Sequence, residues 1–184
     1  VLFRSPKEDN KLKDIYNIKQ TGKLLDIGCS VGDFLHKAKH FYDVEGVEVN
    51  PNTSTYAKKY FTIHTDYLNH LDLKQEYDIV TMHQILYGVP DNVALLKDIY
   101  KILKDDGILY INTPNSDSYT MQLFGGKSNH LYGYTSLNVF NQKSLEELAK
   151  LAGFKVGFFR TEWLDIYSMD VKEFYENKNR FIHK

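Results

Sequence analysis

The segment Lys23-Leu24-Leu25-Asp26-Ile27-Gly28-Cys29-Ser30-Val31-Gly32-Asp33-Phe34-Leu35 passes from an apolar run, through a turn with two glycines, into the start of a helix. Glycine has no Cβ and tolerates positive φ, so such a turn lets a flat or charged ligand approach the backbone closely. Taken alone, the segment reads equally as an ordinary strand-to-helix turn. Two acids further along sharpen the reading. Glu48 ends the next apolar run, where a carboxylate can accept both hydroxyls of a ribose. Each such charge-assisted bond contributes roughly 1.5–3 kcal/mol. Asp66, followed by Tyr67 and Leu68, comes just after the third run, where it could accept from an adenine amino group while its neighbours sandwich the ring. Either acid alone could be a solvated loop residue; three such features at successive strand ends point together to a nucleoside. A nicotinamide dinucleotide calls for G-x-G-x-x-G, whose last glycine lets helix and strand pack closely. Here the spacing is G-x-x-x-G, with Ser30 and Asp33 at the other positions, which serves a pyrophosphate poorly.

These residues need a scaffold that brings strand ends together. The chain alternates short apolar runs with amphipathic stretches, the pattern of βα units on a parallel sheet. It predicts strands at Lys23 to Ile27, Val44 to Val49, Thr62 to Thr65, Asp78 to His83, Ile108 to Thr113 and Phe154 to Thr161, after a helical lead-in around Asp9 to Ile18. Asn50-Pro51 opens a helix towards Tyr60, with a capping side chain before a proline preset for the first position. Asp91 caps another, with Leu96, Ile99 and Leu103 as its buried stripe and Gly107 just past its end. Asn141 caps a third that stops at Gly153. Residues 115–141, with Gly125-Gly126 and Tyr119, Tyr132 and Tyr134, read as an insertion after the fifth strand of a single domain spanning 1–184.

Composition narrows the function class. With 184 residues, 42% hydrophobic and 26% charged, the chain has the size of one globular domain with room for a pocket. Lys plus Arg number 23 against 24 Asp plus Glu, so no overall excess of charge marks it for nucleic acid or anionic lipid, and a small-molecule substrate is expected. The lone Cys29 rules out an internal disulfide, nothing suggests a metal cluster, and no apolar run is long enough to span a bilayer, so a cytoplasmic protein is expected. The opening Val1-Leu2-Phe3-Arg4-Ser5 reads like a translated sequencing adapter, which would leave native residues missing upstream.

At this point the chain resembles the class I S-adenosylmethionine-dependent methyltransferases, and more narrowly the ubiquinone-biosynthesis and sugar-modifying group, over about residues 20 to 160. The resemblance is carried by Leu24-Leu25-Asp26-Ile27-Gly28-Cys29 with Gly32, Gly46-Val47-Glu48, Tyr77-Asp78-Ile79-Val80, Val89-Pro90-Asp91, Leu103 to Asn115, and Ser144 to Phe154. It implies an α/β fold with a doubly wound, mostly parallel, Rossmann-like sheet and S-adenosylmethionine as cofactor. It also implies that Asp26, Gly28 and Gly32 serve the methionine end, Glu48 the ribose, and Asp66 with Tyr67 the adenine, while His83 lines the methionine side; Cys29 and Val49 are expected among the cofactor-binding residues. Cys29 is read as a small core residue whose backbone amide faces the ligand.

The chain also departs from the family. Ser30 stands where another glycine is common. Tyr87-Gly88 stand where many relatives have Glu-His, and Asn138 replaces a second histidine, so no catalytic base or metal ligand carries over and the catalytic residues are unassigned. His83, His130, Tyr132 and Tyr134 remain as candidate bases, and Tyr87, His130, Tyr132 and Tyr134 as candidate substrate contacts. A sulfonium is already an activated donor, so the protein chiefly has to hold the nucleophile about 3–3.5 Å from the methyl and exclude water. The expected function is methyl transfer to an oxygen or nitrogen of a small molecule: a sugar nucleotide, glycan precursor, lipid or quinone. The alternative is a methyltransferase-fold binding protein without turnover. Nucleic-acid methylation lacks both its Asp/Asn-Pro-Pro-aromatic motif and a basic patch. After Trp163 the charges leave no apolar run, so six strands are expected with the family's seventh missing, a short helix around Val171 to Tyr175, and a monomer or weak homo-oligomer.

Overall fold

Leu24, Leu25, Ile79 and Val80 are fully buried, because the strands that carry them are covered on both faces. They belong to β1 (Lys23–Ile27) and β4 (Tyr77–His83) in the computed structural model, which describes residues 10–118, 121–122 and 136–160. The described residues fall into two compact units. The first runs to Leu86 and takes up again over Asp91–Asn112; the second comprises Tyr87–Pro90 and the residues from Thr113 on.

The first unit holds a five-stranded sheet in the order β3-β2-β1-β4-β5, every pair parallel. Its other strands are β2 (Asp43–Val47), β3 (Thr62–His64) and β5 (Leu103–Asn112). The helices are α1 (Asn10–Ile18), α2 (Asp33–Ala38), α3 (Pro51–Ala57) and α4 (Asn92–Ile102). The chain winds outward from β1 to β3, then returns to place β4 on the other flank of β1. This reversal is a topological switch point, where the carboxyl ends of adjacent strands open a crevice. One core cluster joins Leu12 and Ile15 of α1 to Leu24, Leu35, Ala38, Ala57, Ile63 and Ile79.

The capping expectations hold. Asn50 accepts from Asn52 N at 3.0 Å with Pro51 opening α3, and Asp91 accepts from Ala94 N at 2.9 Å. In the second unit, α5 (Gln142–Leu151) starts with a reciprocal box in which Asn141 Oδ1 accepts from Ser144 N and Ser144 Oγ from Asn141 N. Gly153 follows with φ +95°, as a helix stop requires. A parallel bridge pairs Asn115 with Phe140.

Two expectations are corrected. Gly107 is not a helix stop: α4 ends at Ile102, and Leu103 turns extended to pair with Tyr77. The ladder resumes at Ile79↔Ile108, so Lys104–Gly107 stand opposite Asp78 alone as an irregular outward turn inside β5, with Lys104 Nζ 2.9 Å from Asp78 Oδ2. The expected sixth strand at 154–161 is not formed: residues 154–160 carry no ladder, and Val156 and Phe158 are 44% and 54% exposed. An apolar run becomes a strand only where a neighbour supplies hydrogen bonds and cover. The described sheet has five strands, and the expectations for 164–184 lie outside the described residues.

A polar cluster ties β1, β2, β3 and β4 together through Glu45. Glu45 accepts from Tyr77 Oη at 2.7 Å and His64 Nε2 at 3.1 Å, with Lys23 Nζ 2.9 Å away. Burial pushes the Glu45 carboxyl upward, but the bonds from Lys23, His64 and Tyr77 outweigh it and hold the group below its ordinary value. A depressed folded pKa contributes stability above the ordinary glutamate value of about 4.3 that is lost as pH falls through the lower folded one. Glu45→Gln should therefore lower stability by about 1–2 kcal/mol at pH 7, with a gap that narrows below about pH 4, as measured by urea unfolding across pH. A gap independent of pH would show that the carboxylate charge has no part in it.

Candidate cofactor site

The turn after β1 is built from left-handed residues: Gly28 at φ +74°, Ser30 at +51° and Gly32 at +91°. Its amides point inward. Gly28 N and Cys29 N both donate to Val47 O, at 2.8 and 3.1 Å, and Gly32 N donates to Cys29 O at 2.9 Å. Ser30 N donates to Glu48 Oε2 at 2.8 Å, while Asn50 N reaches Glu48 Oε1 at 2.7 Å. Glu48 is thus a buried clasp between the turn and the start of α3, a role its position in the sequence did not announce. Each of its oxygens keeps a second lone pair, so the carboxylate can still accept a hydroxyl. A pyrophosphate cradle needs amides aimed at the ligand. Those of Gly28, Cys29, Ser30 and Gly32 are already used within the protein, so the structure agrees with the glycine spacing in disfavouring a dinucleotide.

Three details go beyond the sequence. A Cβ on Gly28 would overlap Cδ1 and Cγ1 of Ile85, a residue that sequence reasoning passed over because nothing in the Leu86-Tyr87 neighbourhood signalled contact with the turn. Gly46 leaves room for Cys29 Sγ and Ile63 Cδ1 in the same way. The third is a correction: the Cys29 amide, expected to face the ligand, is bound to Val47 O. Burial first, then the charges of Asp26 and Glu48, push the Cys29 thiol up to about 12, so it is no nucleophile at neutral pH.

Asp26 sits in β1 opposite Thr81 of β4 and is buried; Thr81 Oγ1 donates to its Oδ1 at 2.7 Å. Burial pushes its carboxyl up to about 7, against the Thr81 bond and the charge of Lys11. His83 ends β4 half-buried, its ring centroid 4.3 Å from that of Phe34 and 5.9 Å from that of Tyr110. Gln84 follows at φ +59°, held to β5 by Gln84 N to Asn112 O at 2.8 Å and Gln84 Nε2 to Asn112 Oδ1 at 2.7 Å. Ser30 and Gln84 are the described non-glycine residues with positive φ, and they follow adjacent strands at the switch point. Strain of this kind gathers at functional sites.

Past β3, Asp66 Oδ1 accepts from Tyr67 N at 2.7 Å and from His70 Nδ1 at 2.9 Å. The His70 bond, then the Tyr67 amide, hold this exposed carboxyl below its ordinary value. Tyr67 is 62% exposed, and Val49 beside Glu48 is exposed as well. The structure therefore brings Asp26, Gly28, Cys29, Gly32, Glu48, Val49, Asp66, Tyr67 and His83 into the first unit, on or just beyond strands β1 to β4.

In the second unit, the Tyr87 carbonyl accepts from Leu137 N and Asn138 N, both at 2.9 Å, and Asn138 Nδ2 donates to Val89 O at 2.7 Å. Asn138, noted in the sequence as a missing histidine, is a clamp on the 87–90 turn. His130, Tyr132 and Tyr134 lie outside the described residues, as do Tyr119 and Trp163. No group of three or more His, Cys, Asp or Glu among the described residues is placed to hold a metal ion.

Two predictions come from this geometry. Ser30→Gly removes a left-handed Cβ while leaving the Ser30 amide bond to Glu48 in place, so it should raise stability by up to about 1 kcal/mol, read as a higher melting temperature. A lower one would mean the serine side chain itself supports the turn. Asp26 has its folded pKa raised from 3.8 to about 7. The folded state then binds an extra proton between those values, and stability falls as pH rises through that window. Asp26→Asn keeps the Thr81 acceptor without the charge, so it should be roughly 1–3 kcal/mol more stable than the parent at pH 8, with the advantage closing towards pH 4 in denaturant titrations. The opposite trend would show that Asp26 is ionised without penalty.

Comparison with known proteins fits this geometry. The model of a methyltransferase domain family matches residues 7–157. A demethylmenaquinone methyltransferase of Staphylococcus saprophyticus is 29% identical, the match covering 75% of this chain and 72% of that enzyme. A ubiquinone biosynthesis O-methyltransferase of Haemophilus ducreyi is 28% identical over 50% of this chain, which spans only 45% of that enzyme's length. Among solved structures, a SAM-dependent methyltransferase from Methanosarcina mazei superposes with a TM-score of 0.69 at 20% identity, covering 83% of this chain and 89% of that one. The fold is thus that of the S-adenosylmethionine-dependent methyltransferases, and the chain belongs to the methyltransferase domain family.

Proposed function

We propose that this protein transfers the methyl group of S-adenosylmethionine to a small molecule in the cytoplasm, most directly to a hydroxyl of a quinone precursor. The observation that carries the cofactor assignment is the Glu48 clasp: a buried carboxylate at the end of β2, bonded to the glycine turn and retaining acceptor capacity. The quinone class is supported by the relatives, a demethylmenaquinone methyltransferase and two ubiquinone biosynthesis O-methyltransferases, and the hydroxyl acceptor by the latter two.

The residues present fit this cofactor. Glu48 accepts the ribose hydroxyls, Asp66 accepts the adenine amine, and Tyr67 with Val49 offers apolar cover. The Glu48 carboxylate places negative charge beside the turn, which favours a cationic ligand over an anionic one. When bound, S-adenosylmethionine supplies a methyl on a positive sulfonium, which is both the transferred group and its activation. The protein's share is then positioning and exclusion of water. His83, wedged against Phe34 and Tyr110 at the end of β4, is the described candidate for receiving a proton from the acceptor.

Calorimetric titration of the chain with S-adenosylmethionine, followed by assay for S-adenosylhomocysteine with hydroxylated quinone precursors, tests the reading. Binding and turnover are expected; a chain that binds no S-adenosylmethionine would overturn it. Glu48→Ala should weaken binding by about tenfold or more, since it removes both hydroxyl acceptors and the clasp on the turn. Unchanged affinity in a folded variant would take Glu48 out of the site.

A further inference from the structure

We infer that His70 is a positioning residue for adenine recognition, holding the Asp66 carboxylate and the Tyr67 ring in their receiving arrangement. The inference rests on the reading that Asp66 and Tyr67 meet the adenine. Both described bonds to the Asp66 carboxylate fall on one oxygen: Tyr67 N and His70 Nδ1 reach Oδ1 at 2.7 and 2.9 Å. Oδ2 receives no hydrogen bond among the described residues. Fixing Oδ1 from two sides stops rotation of the carboxylate and so fixes where Oδ2 stands, the oxygen left to accept an exocyclic amine.

His70 braces the aromatic half of the site as well. Its ring meets that of Tyr67 edge-on, with centroids 5.8 Å apart at 77°. Tyr67 has little else to hold it, being 62% exposed. His70 is itself anchored by local structure. It ends the 3-10 turn Leu68–His70, its amide bonds Tyr67 O at 3.0 Å, and Leu68 of the same turn is buried. A buried leucine thus sets the turn, the turn sets the imidazole, and the imidazole sets both ligand-facing groups. The bond to His70 is also the first cause keeping the Asp66 carboxyl below its ordinary value, and hence an acceptor. Support of this kind improves affinity by reducing what must be ordered on binding.

The test is calorimetric titration of the full chain and two variants with S-adenosylhomocysteine and with its inosine counterpart, in which a carbonyl oxygen replaces the adenine amine. His70→Ala should weaken S-adenosylhomocysteine binding by about three- to fivefold, the upper part of what an exposed pair supplies. His70→Asn places an amide nitrogen about where Nδ1 stood and should restore affinity to within about twofold of the parent. The inosine compound should bind the parent more weakly, and His70→Ala should weaken it by less than it weakens S-adenosylhomocysteine, because the Tyr67 half of the brace serves either base while the Asp66 half serves the amine alone. Equal weakening for both compounds, or no weakening for either, overturns the inference; the Asn variant keeps the test informative should the Ala variant lose its fold. Failure of the parent to bind S-adenosylhomocysteine would instead overturn the cofactor assignment, a result read before any variant is made.

Discussion

Glu48 receives backbone N–H groups from two directions, Ser30 of the turn after β1 and Asn50 at the entry to α3. The ends of two neighbouring strands are held together through one side chain, and the conformation of the turn between β1 and α2 follows from it. With the Ser30 amide drawn towards Glu48 and those of Gly28 and Cys29 towards Val47 O, these three amides are not presented outward. Such a turn suits a ligand recognised by its hydroxyls and faces better than one recognised by its phosphates. The carboxylate is also costly to bury, and its two charge-assisted bonds offset that cost before any ligand arrives.

Much of this arrangement was legible in the chain. The short apolar stretches within Lys23 to Ile27 and Asp78 to His83 call for cover on both faces, and capping signals at Asn50, Asp91 and Asn141 act within a turn of backbone. Both are local physics. What stayed hidden was tertiary. Ile85 beside Gly28, the Glu48 clasp and the Asn138 clamp on the 87–90 turn each join residues distant in sequence, and no local pattern encodes them. The segment 154–160 failed as a strand for the complementary reason, since apolar composition states a preference for cover without saying where a partner lies. Gly107 misled because a glycine after an apolar periodic stretch is a common helix ending; here it belongs to the outward turn inside β5.

The turn also shows how a residue with a side chain is held in a conformation that favours glycine. Ser30 takes the left-handed conformation itself at φ +51°. A single such residue costs roughly 1–2 kcal/mol, which the Ser30 amide bond to Glu48 is of a size to offset. The backbone path is therefore set by partners of the turn and not by the flexibility of each residue in it.

Gly28 faces two independent restrictions, its positive φ and the side chain of Ile85 pressed against it. Each alone would admit a compensating change elsewhere: a smaller residue at 85 would clear the space, and a local shift of backbone would ease the torsion. Together they make the position epistatically closed, since trimming Ile85 leaves the torsional cost and relaxing the torsion leaves the collision. Over evolutionary drift, a lineage could exchange the serine two residues on far more readily than this glycine.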